Sequence, residues 1–178
     1  AAWAKICKTS LYDGIMFPKG KLYEDLAVMP YITCKAHSIY YIQEPLINYV
    51  INTPGSIMNS SKSNIFDIYD SLTYLFDLFG DQFDTYKEEL QYLAIEHLCV
   101  GHTYRLLHYA NASKQDFKDI VFFMEKHFGK HWDKNKYVKR GVQKVNINSS
   151  LSYRCSILFE VFEIWWFWCL ASHQKSER

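Results

Sequence analysis

The sequence predicts an α/β N-terminal third followed by an all-α helical bundle. Before residue 60, short segments rich in Ile, Tyr and Val alternate with Pro and Gly, which is typical of strands and turns. After residue 60, apolar residues recur every three or four positions, as they do on one face of a helix. We therefore expect one domain at 1–59 and a helical extension at 60–178.

Composition indicates a globular protein. The 178 residues are 49% hydrophobic and 17% aromatic, which excludes a disordered tail. A net charge of +1 argues against a dedicated nucleic-acid binder. The five cysteines form no CxxC pair, so we interpret them as small core residues in a reducing compartment. The N-terminus has neither an initiator Met nor a signal-peptide pattern, which suggests the middle of a longer protein.

The N-terminal elements follow in order. Residues 3–8 form a short apolar run that predicts a strand or the end of one, and 17–21 contain the Pro and Gly of a loop. Apolar spacing over 24–36 predicts a helix that is either kinked at Pro30 or begins there. Two β-prone runs, 38–42 and 46–51, predict strands joined by a turn, and a further turn follows at 53–56.

The C-terminal elements are all predicted helices. The first stops before Gly80, and a second runs from Tyr86 to about residue 110. Ser113 and Asp116 have the spacing of a capping box, which begins a helix that ends at Gly129. A last helix is predicted from about Ser150.

Several short strings in the first third occur together in one order. They are Trp3-Ala4-Lys5-Ile6, Phe17-Pro18-Lys19-Gly20, Glu24-Asp25-Leu26, Ile39-Tyr40-Tyr41-Ile42, Pro45-Leu46 with Tyr49, and Gly55-Ser56-Ile57-Met58. This arrangement resembles the second half of the catalytic domain of family 2 glycosyltransferases, bacterial enzymes of the GT-A fold. The resemblance covers about a third of the chain. It implies that 1–59 is the acceptor side and the closing part of a GT-A nucleotide-sugar transferase sheet.

The resemblance also implies an activity. Members of this family move a sugar, with inversion, from a nucleotide-sugar to an acceptor hydroxyl in cell-surface polysaccharide or glycan synthesis, and the acceptor is often lipid-linked. The matching positions make Asp25 the general base and Glu24 its supporting neighbour. Lys5, Lys19 and Gly20 are then substrate-binding residues, although Lys5 fits a structural ion pair equally well. Without the resemblance, two acids that open a helix would be interpreted as plain capping.

Some parts of the family pattern are missing. Ala4 stands where Asn is common, and residues 52–54 lack the basic residue of many relatives. The nucleotide-binding half and its ligands for Mn²⁺ or Mg²⁺ would precede this segment, so the chain alone should be inactive. The remaining acid pair, Asp67 and Asp70, lies on a predicted helix and is interpreted as a solvated face.

Three other patterns leave alternatives open. The basic stretch 126–144, with Trp132 and Tyr137, is a solvated helical face or a contact for anionic lipid. The aromatic block 157–171 is too short and too charged to span a bilayer, so we expect burial or a homo-oligomer interface, with interfacial membrane attachment as the alternative. His127 and His131 flank a predicted helix end, and we expect helix-end and surface roles there rather than a metal site.

These patterns predict a cytoplasmic protein with peripheral contact at the inner face of the membrane. The competing hypothesis is a non-catalytic helical interaction or membrane-docking module of a decayed transferase, and a soluble helical module with no tie to sugars is a third. In an enzyme, Asp25 should face an open cleft; in a scaffold, it could be a buried cap.

Overall fold

The computed structural model describes residues 2, 5–48, 50, 64–110 and 112–138. They fall into two compact units, one within Ala1–Thr85 and the other within Tyr86–Arg178. Both units are built from helices. The predicted boundary between residues 59 and 60 lies outside the described residues and stays a prediction.

The first unit contains two α-helices that pack against each other, α1 (Glu24–Lys35) and α2 (Asp67–Phe79). The described residues of this unit also form short 3₁₀ turns at Thr9–Tyr12 and Gly80–Gln82. The predicted helices over 24–36 and before Gly80 are confirmed. Pro30 lies inside α1, which begins at Glu24 rather than at the proline. Because proline has no N–H, α1 lacks the bond that would reach the Leu26 carbonyl.

The core of the first unit forms where α1 meets α2 and the preceding chain. The residues that α1 buries are Leu26, Ala27, Val28, Met29 and Ile32, and half-buried side chains pack on them from Cys7, Leu11, Tyr12, Ile15 and Tyr74. From α2, the buried apolar residues are Ile68, Leu72, Leu75, Phe76 and Phe79. The rings of Tyr31 and Phe79 meet edge to face with centroids 5.2 Å apart. This packing fixes α1 on α2.

The predicted α/β fold, with the closing part of a GT-A sheet in the first third, is wrong. Among the residues that the structure describes, none lies in a β-strand, and 5–8, 38–42 and 46–48 run without helix or strand. The sequence there has high strand propensity, but a strand forms only where another strand pairs with it, and isolated pairs are marginal in water. The predicted turn at 53–56 and residues 3, 4, 49 and 51 lie outside the described residues.

The second unit begins with a continuous helical run. It consists of α3 (Lys87–Ala94), a π-helix (Ile95–His102) and α4 (Thr103–Tyr109). The helix predicted from Tyr86 to about residue 110 is therefore confirmed. Its π-helical middle was not predicted, since apolar spacing does not distinguish a wider turn from an α-turn.

The next helix, α5 (Lys114–Phe128), begins with the predicted capping box. The Ser113 hydroxyl accepts from the Asp116 N–H, and the Asp116 carboxylate accepts from the Ser113 N–H at 2.6 Å. Gly129 ends the helix with φ of +84°, a conformation that costs glycine little. A 3₁₀ turn, Trp132–Lys134, follows. The predicted last helix lies outside the described residues.

A histidine lies in the core of the second unit. The buried apolar residues of the same unit are Leu90, Ala94, Ile95, Leu98, Leu106, Ile120, Phe123, Met124 and Trp132. His102 is only 1% exposed. This burial lowers the pKa of His102 to about 4. The charge of Arg105 lowers the pKa further, whereas the Asp116 carboxylate acts to raise it. The imidazole is therefore neutral at pH 7.

We predict that Ser113→Ala lowers the free energy of unfolding by about 1 kcal/mol, because it removes the acceptor for the Asp116 N–H. Urea titration measures the loss as a lower unfolding midpoint, with an unchanged dependence of the free energy on urea concentration. Ser113→Asn is the matched control, since asparagine caps helices equally well and should retain the stability. An alanine variant as stable as its parent would contradict the role of the cap.

We also predict that acid destabilises the protein through His102. Below pH about 6.5 the unfolded chain protonates this side chain, whereas the folded chain does so only near pH 4. The stabilisation that comes from the neutral His102 is therefore fully present above pH 6.5. As the pH drops to 4, the free energy of unfolding falls by roughly 3 kcal/mol. Urea titrations at several pH values test this against His102→Leu, which cannot take up the proton. Equal pH dependence in the two proteins would contradict it.

Candidate functional site

Two residues of the loop before α1 have left-handed backbone conformations. Gly20 has φ of +74°, which glycine adopts easily. Tyr23 has φ of +62°, which is uncommon for a residue with a side chain and costs about 1 kcal/mol or more. Because Glu24 follows at once as the first residue of α1, the conformation of Tyr23 sets the path by which the chain enters the helix.

Contacts with the first turns of α2 hold this loop in place. The Asp67 carboxylate accepts from the Leu22 N–H and from the Lys21 ammonium, both at 3.0 Å. The same ammonium donates to Asp70 at 2.9 Å, and the Ser71 hydroxyl donates to the Leu22 carbonyl at 3.0 Å. Both backbone groups of Leu22 are therefore bound to α2, directly before Tyr23.

The two acids of α2 differ in exposure. The Asp67 side chain is 15% exposed and that of Asp70 is 69% exposed. Partial burial acts to raise the pKa of Asp67, but the hydrogen bond from Leu22 and the charge of Lys21 outweigh it and lower the pKa. The Asp70 and Asp67 carboxylates raise the pKa of Lys21. The predicted solvated face is thus accurate for Asp70 and wrong for Asp67.

Glu24 and Asp25 form the first turn of α1, as a capping interpretation and a catalytic one both require. Asp25 is half-buried, and its carboxylate accepts from the Leu26 N–H at 2.8 Å. Glu24 is exposed. Asp25 is therefore neither a fully buried cap nor a freely rotating surface acid: its carboxylate is oriented by the backbone and still reaches solvent.

The predicted substrate-binding residues are all exposed. Lys19 and Gly20 lie in the turn that precedes the Leu22 contacts, and Lys5 lies before the first 3₁₀ turn, in a stretch without helix or strand. Lys19 and Gly20 are thus on the anchored loop that leads into Glu24 and Asp25 at the start of α1. The predicted positions Ala4, 52–54 and 55–58 lie outside the described residues.

The described part of the basic stretch, 126–138, packs on α3 more closely than a solvated face would. Trp132 is buried, and its carbonyl accepts from Gln91 at 2.7 Å. Lys136 pairs with Glu89 at 3.4 Å, and the Tyr137 hydroxyl also donates to Glu89, which lowers the pKa of that carboxyl. The aromatic side chains between these lysines thus contact protein. Lipid contact over 126–144 stays a prediction, as does attachment through 157–171, which lies outside the described residues.

Two further observations concern metals and membranes. His127 lies in the last turn of α5 and His131 beyond Gly129, so the two do not share a helical face. Across the described ranges, no three His, Cys, Asp or Glu side chains cluster as metal ligands. None of the helices within those ranges is long and apolar enough to cross a bilayer.

Sequence reasoning missed the residues that hold the loop, Lys21, Leu22, Asp67 and Ser71. The contacts join positions more than forty residues apart, such as Leu22 and Asp67. No local pattern marks such a pair, and the backbone N–H of Leu22 leaves no signal in a sequence. The left-handed turn at Tyr23 was missed too, since Gly, Asn and Asp are the residues that predict one.

Comparison with known proteins adds no relative. Neither the family models nor the curated proteins nor the solved structures gave a match to the chain.

We predict that Asp67→Ala lowers the free energy of unfolding by roughly 2 kcal/mol, because the Leu22 N–H and Lys21 lose a half-buried acceptor. Asp70→Ala is the matched control, because Asp70 contacts the same lysine from the same turn of α2 but lies on the surface. Removing its carboxylate should change the free energy of unfolding by at most about 0.5 kcal/mol. Urea titration of both variants tests this. Equal losses would contradict the anchoring role of Asp67.

Proposed function

We propose that Asp25 is the general base of an inverting glycosyl transfer from a nucleotide-sugar to an acceptor hydroxyl. The observation that carries the proposal is the position of the Glu24–Asp25 pair at the start of α1. The chain before this pair is anchored to α2 through Leu22. Tyr23, directly before the pair, has a left-handed backbone conformation. Residues in unfavourable backbone conformations concentrate at functional sites, where the surrounding structure maintains them. The resemblance of the 17–26 string to family 2 glycosyltransferases supports the same role.

The chemistry required of this chain is one proton transfer. The Asp25 carboxylate accepts the proton of the acceptor hydroxyl as that oxygen attacks the anomeric carbon, and the bond from that carbon to the nucleotide diphosphate breaks. A positioned base of this kind contributes a factor of about 10²–10⁴. The hydrogen bond from the Leu26 N–H orients the carboxylate, and this bond uses one of the several acceptor sites that a carboxylate has.

Neighbouring residues would bind the substrates. Glu24 is exposed beside Asp25 and would accept a hydrogen bond from the acceptor. Lys19 and Lys5 would contact anionic groups, and Gly20 would let a substrate approach the backbone. The family's divalent cation assists the departing diphosphate, but the described residues offer no cluster of ligands for it.

The acceptor and the location of the reaction follow from the same resemblance. The acceptor would be a glycan or its lipid-linked precursor in bacterial cell-surface synthesis, and the protein would work in the cytoplasm, peripherally at the inner face of the membrane. Because the resemblance covers only the acceptor side of the family's catalytic domain, transfer would need a nucleotide-binding part in the same protein.

One observation favours a second candidate, a non-catalytic helical interaction module. Large apolar side chains are exposed in the first unit, among them Tyr40 and Tyr41, and exposed apolar patches mark interaction surfaces. A module of this kind would need no chemistry from Asp25, so the two candidates differ in the effect of altering that residue.

We predict that Asp25→Asn lowers glycosyl transfer by a factor of about 100 or more, because the amide keeps the shape of the side chain and cannot act as the base. The assay uses the whole protein that contains this chain, a panel of nucleotide-sugars with Mn²⁺ or Mg²⁺, and detection of released nucleotide diphosphate. Circular dichroism checks that the variant is folded.

Asp81→Asn is the matched control, since it removes an exposed acid from the same unit and should leave transfer unchanged. Near-native activity of Asp25→Asn would contradict the assignment of the base. Absence of transfer by the parent protein with every donor would favour the interaction module instead.

A further inference from the structure

The chain that follows α5 lies against α3 over residues 129–138, a stretch that we call the latch segment. Its Trp132 and Asn135 side chains are buried, whereas its glycine, its histidine and its three lysines are exposed. Little of the segment is therefore part of the apolar core. Parts of a protein that open locally, while the rest stays folded, have this property.

Two buried amide side chains join the latch segment to α3. The Asn135 amide donates to the Glu88 carbonyl at 2.8 Å and to the side-chain carbonyl of Gln91 at 3.0 Å. The Gln91 amide donates in turn to the Trp132 carbonyl at 2.7 Å. Because Gln91 accepts from one residue of the segment and donates to another, the three bonds support one another and should form and break together.

The latch segment makes its backbone hydrogen bonds without α3. The Trp132 N–H donates to the Gly129 carbonyl, and the Lys134 N–H donates to the His131 carbonyl. Within the described part of the chain, no backbone-to-backbone bond joins the segment to α3. Gly129, with φ of +84°, connects the segment to α5 and can change its backbone conformation more easily than other residues. The segment can therefore leave α3 with its internal bonds intact.

Surface contacts complete the docking at the other end of the segment. The Lys136 ammonium and the Tyr137 hydroxyl both contact the Glu89 carboxylate. The Lys136 and Glu89 side chains are 49% and 46% exposed, so their ion pair is screened by water and contributes little. The buried amides lose more on opening, because their partners are otherwise left unsatisfied.

We propose that residues 129–138 are a latch that opens from α3 as one unit while the helices of the second unit stay folded. Opening breaks the bonds of Gln91 and Asn135 together and turns the segment about Gly129. It exposes the Trp132 ring and the face of α3 that Gln91 occupies, so the latch controls access to that face. This device uses no residue of the proposed transfer site.

Hydrogen exchange of the full chain, followed by NMR, tests whether the segment opens by itself. The Trp132 and Lys134 amides should be at least about tenfold less protected than those of Leu98 and Met124, two fully buried helix residues. Their protection should change little in urea below the unfolding midpoint, because opening exposes little surface, whereas that of Leu98 and Met124 should fall steeply. Latch amides that match the helix amides in both respects would overturn the proposal.

Two variants test the amide lock. Gln91→Ala removes the donor to the Trp132 carbonyl. Asn135→Ser removes the amide donors to α3 and retains a hydroxyl that can accept from the Tyr137 N–H, as the Asn135 side chain does. Each variant should lower the protection of the Trp132 and Lys134 amides together by about tenfold or more, although neither amide is bonded to an altered side chain.

Glu89→Gln is the matched control, since it alters a surface contact between the same segment and the same helix. It should change the protection of the latch amides by at most about threefold. An effect as large as that of the two amide variants would contradict control by the buried pair. Amide variants that leave the Trp132 and Lys134 amides as protected as in the parent would overturn the latch itself.

Discussion

The Asp67 carboxylate is the contact on which the candidate site depends. It binds the Leu22 N–H and the Lys21 ammonium, and so fixes the loop before α1 to the start of α2. The helix pair alone would set the direction of α1, since its apolar face packs on α2. It would not set the path of the chain that enters α1. That path decides where Glu24 and Asp25 lie relative to Lys19 and Gly20.

This anchor also explains how the fold tolerates the left-handed turn at Tyr23. A side chain in that conformation costs about 1 kcal/mol or more, and two hydrogen bonds to the backbone of Leu22 offset the cost. The chain therefore enters α1 along one path, and in the first turn of the helix the Asp25 carboxylate accepts from the Leu26 N–H. A general base needs such fixed geometry, and a structural cap does not.

The sequence predicted what local pattern determines. Apolar spacing located α1, α2 and the helical run from Lys87 to Tyr109, and the Ser113–Asp116 box located the start of α5. The sequence-based prediction failed where the secondary structure depends on contacts with a distant part of the chain. Residues 38–42 have the composition of a strand, yet strand formation depends on pairing, which no neighbouring strand in the described ranges provides. Likewise the acid pair of α1 was visible, whereas its support through Asp67 came from a distant helix.

The most direct measurement is hydrogen exchange at the Leu22 amide, followed by NMR in the parent and in Asp67→Ala. We predict slow exchange in the parent, because this N–H donates to the Asp67 carboxylate, and at least tenfold faster exchange in the variant. The amide of Leu98, in the other unit, serves as the internal reference and should keep its rate. Equal exchange of Leu22 in the two proteins would show that Asp67 does not hold the loop, and would contradict the account of the site.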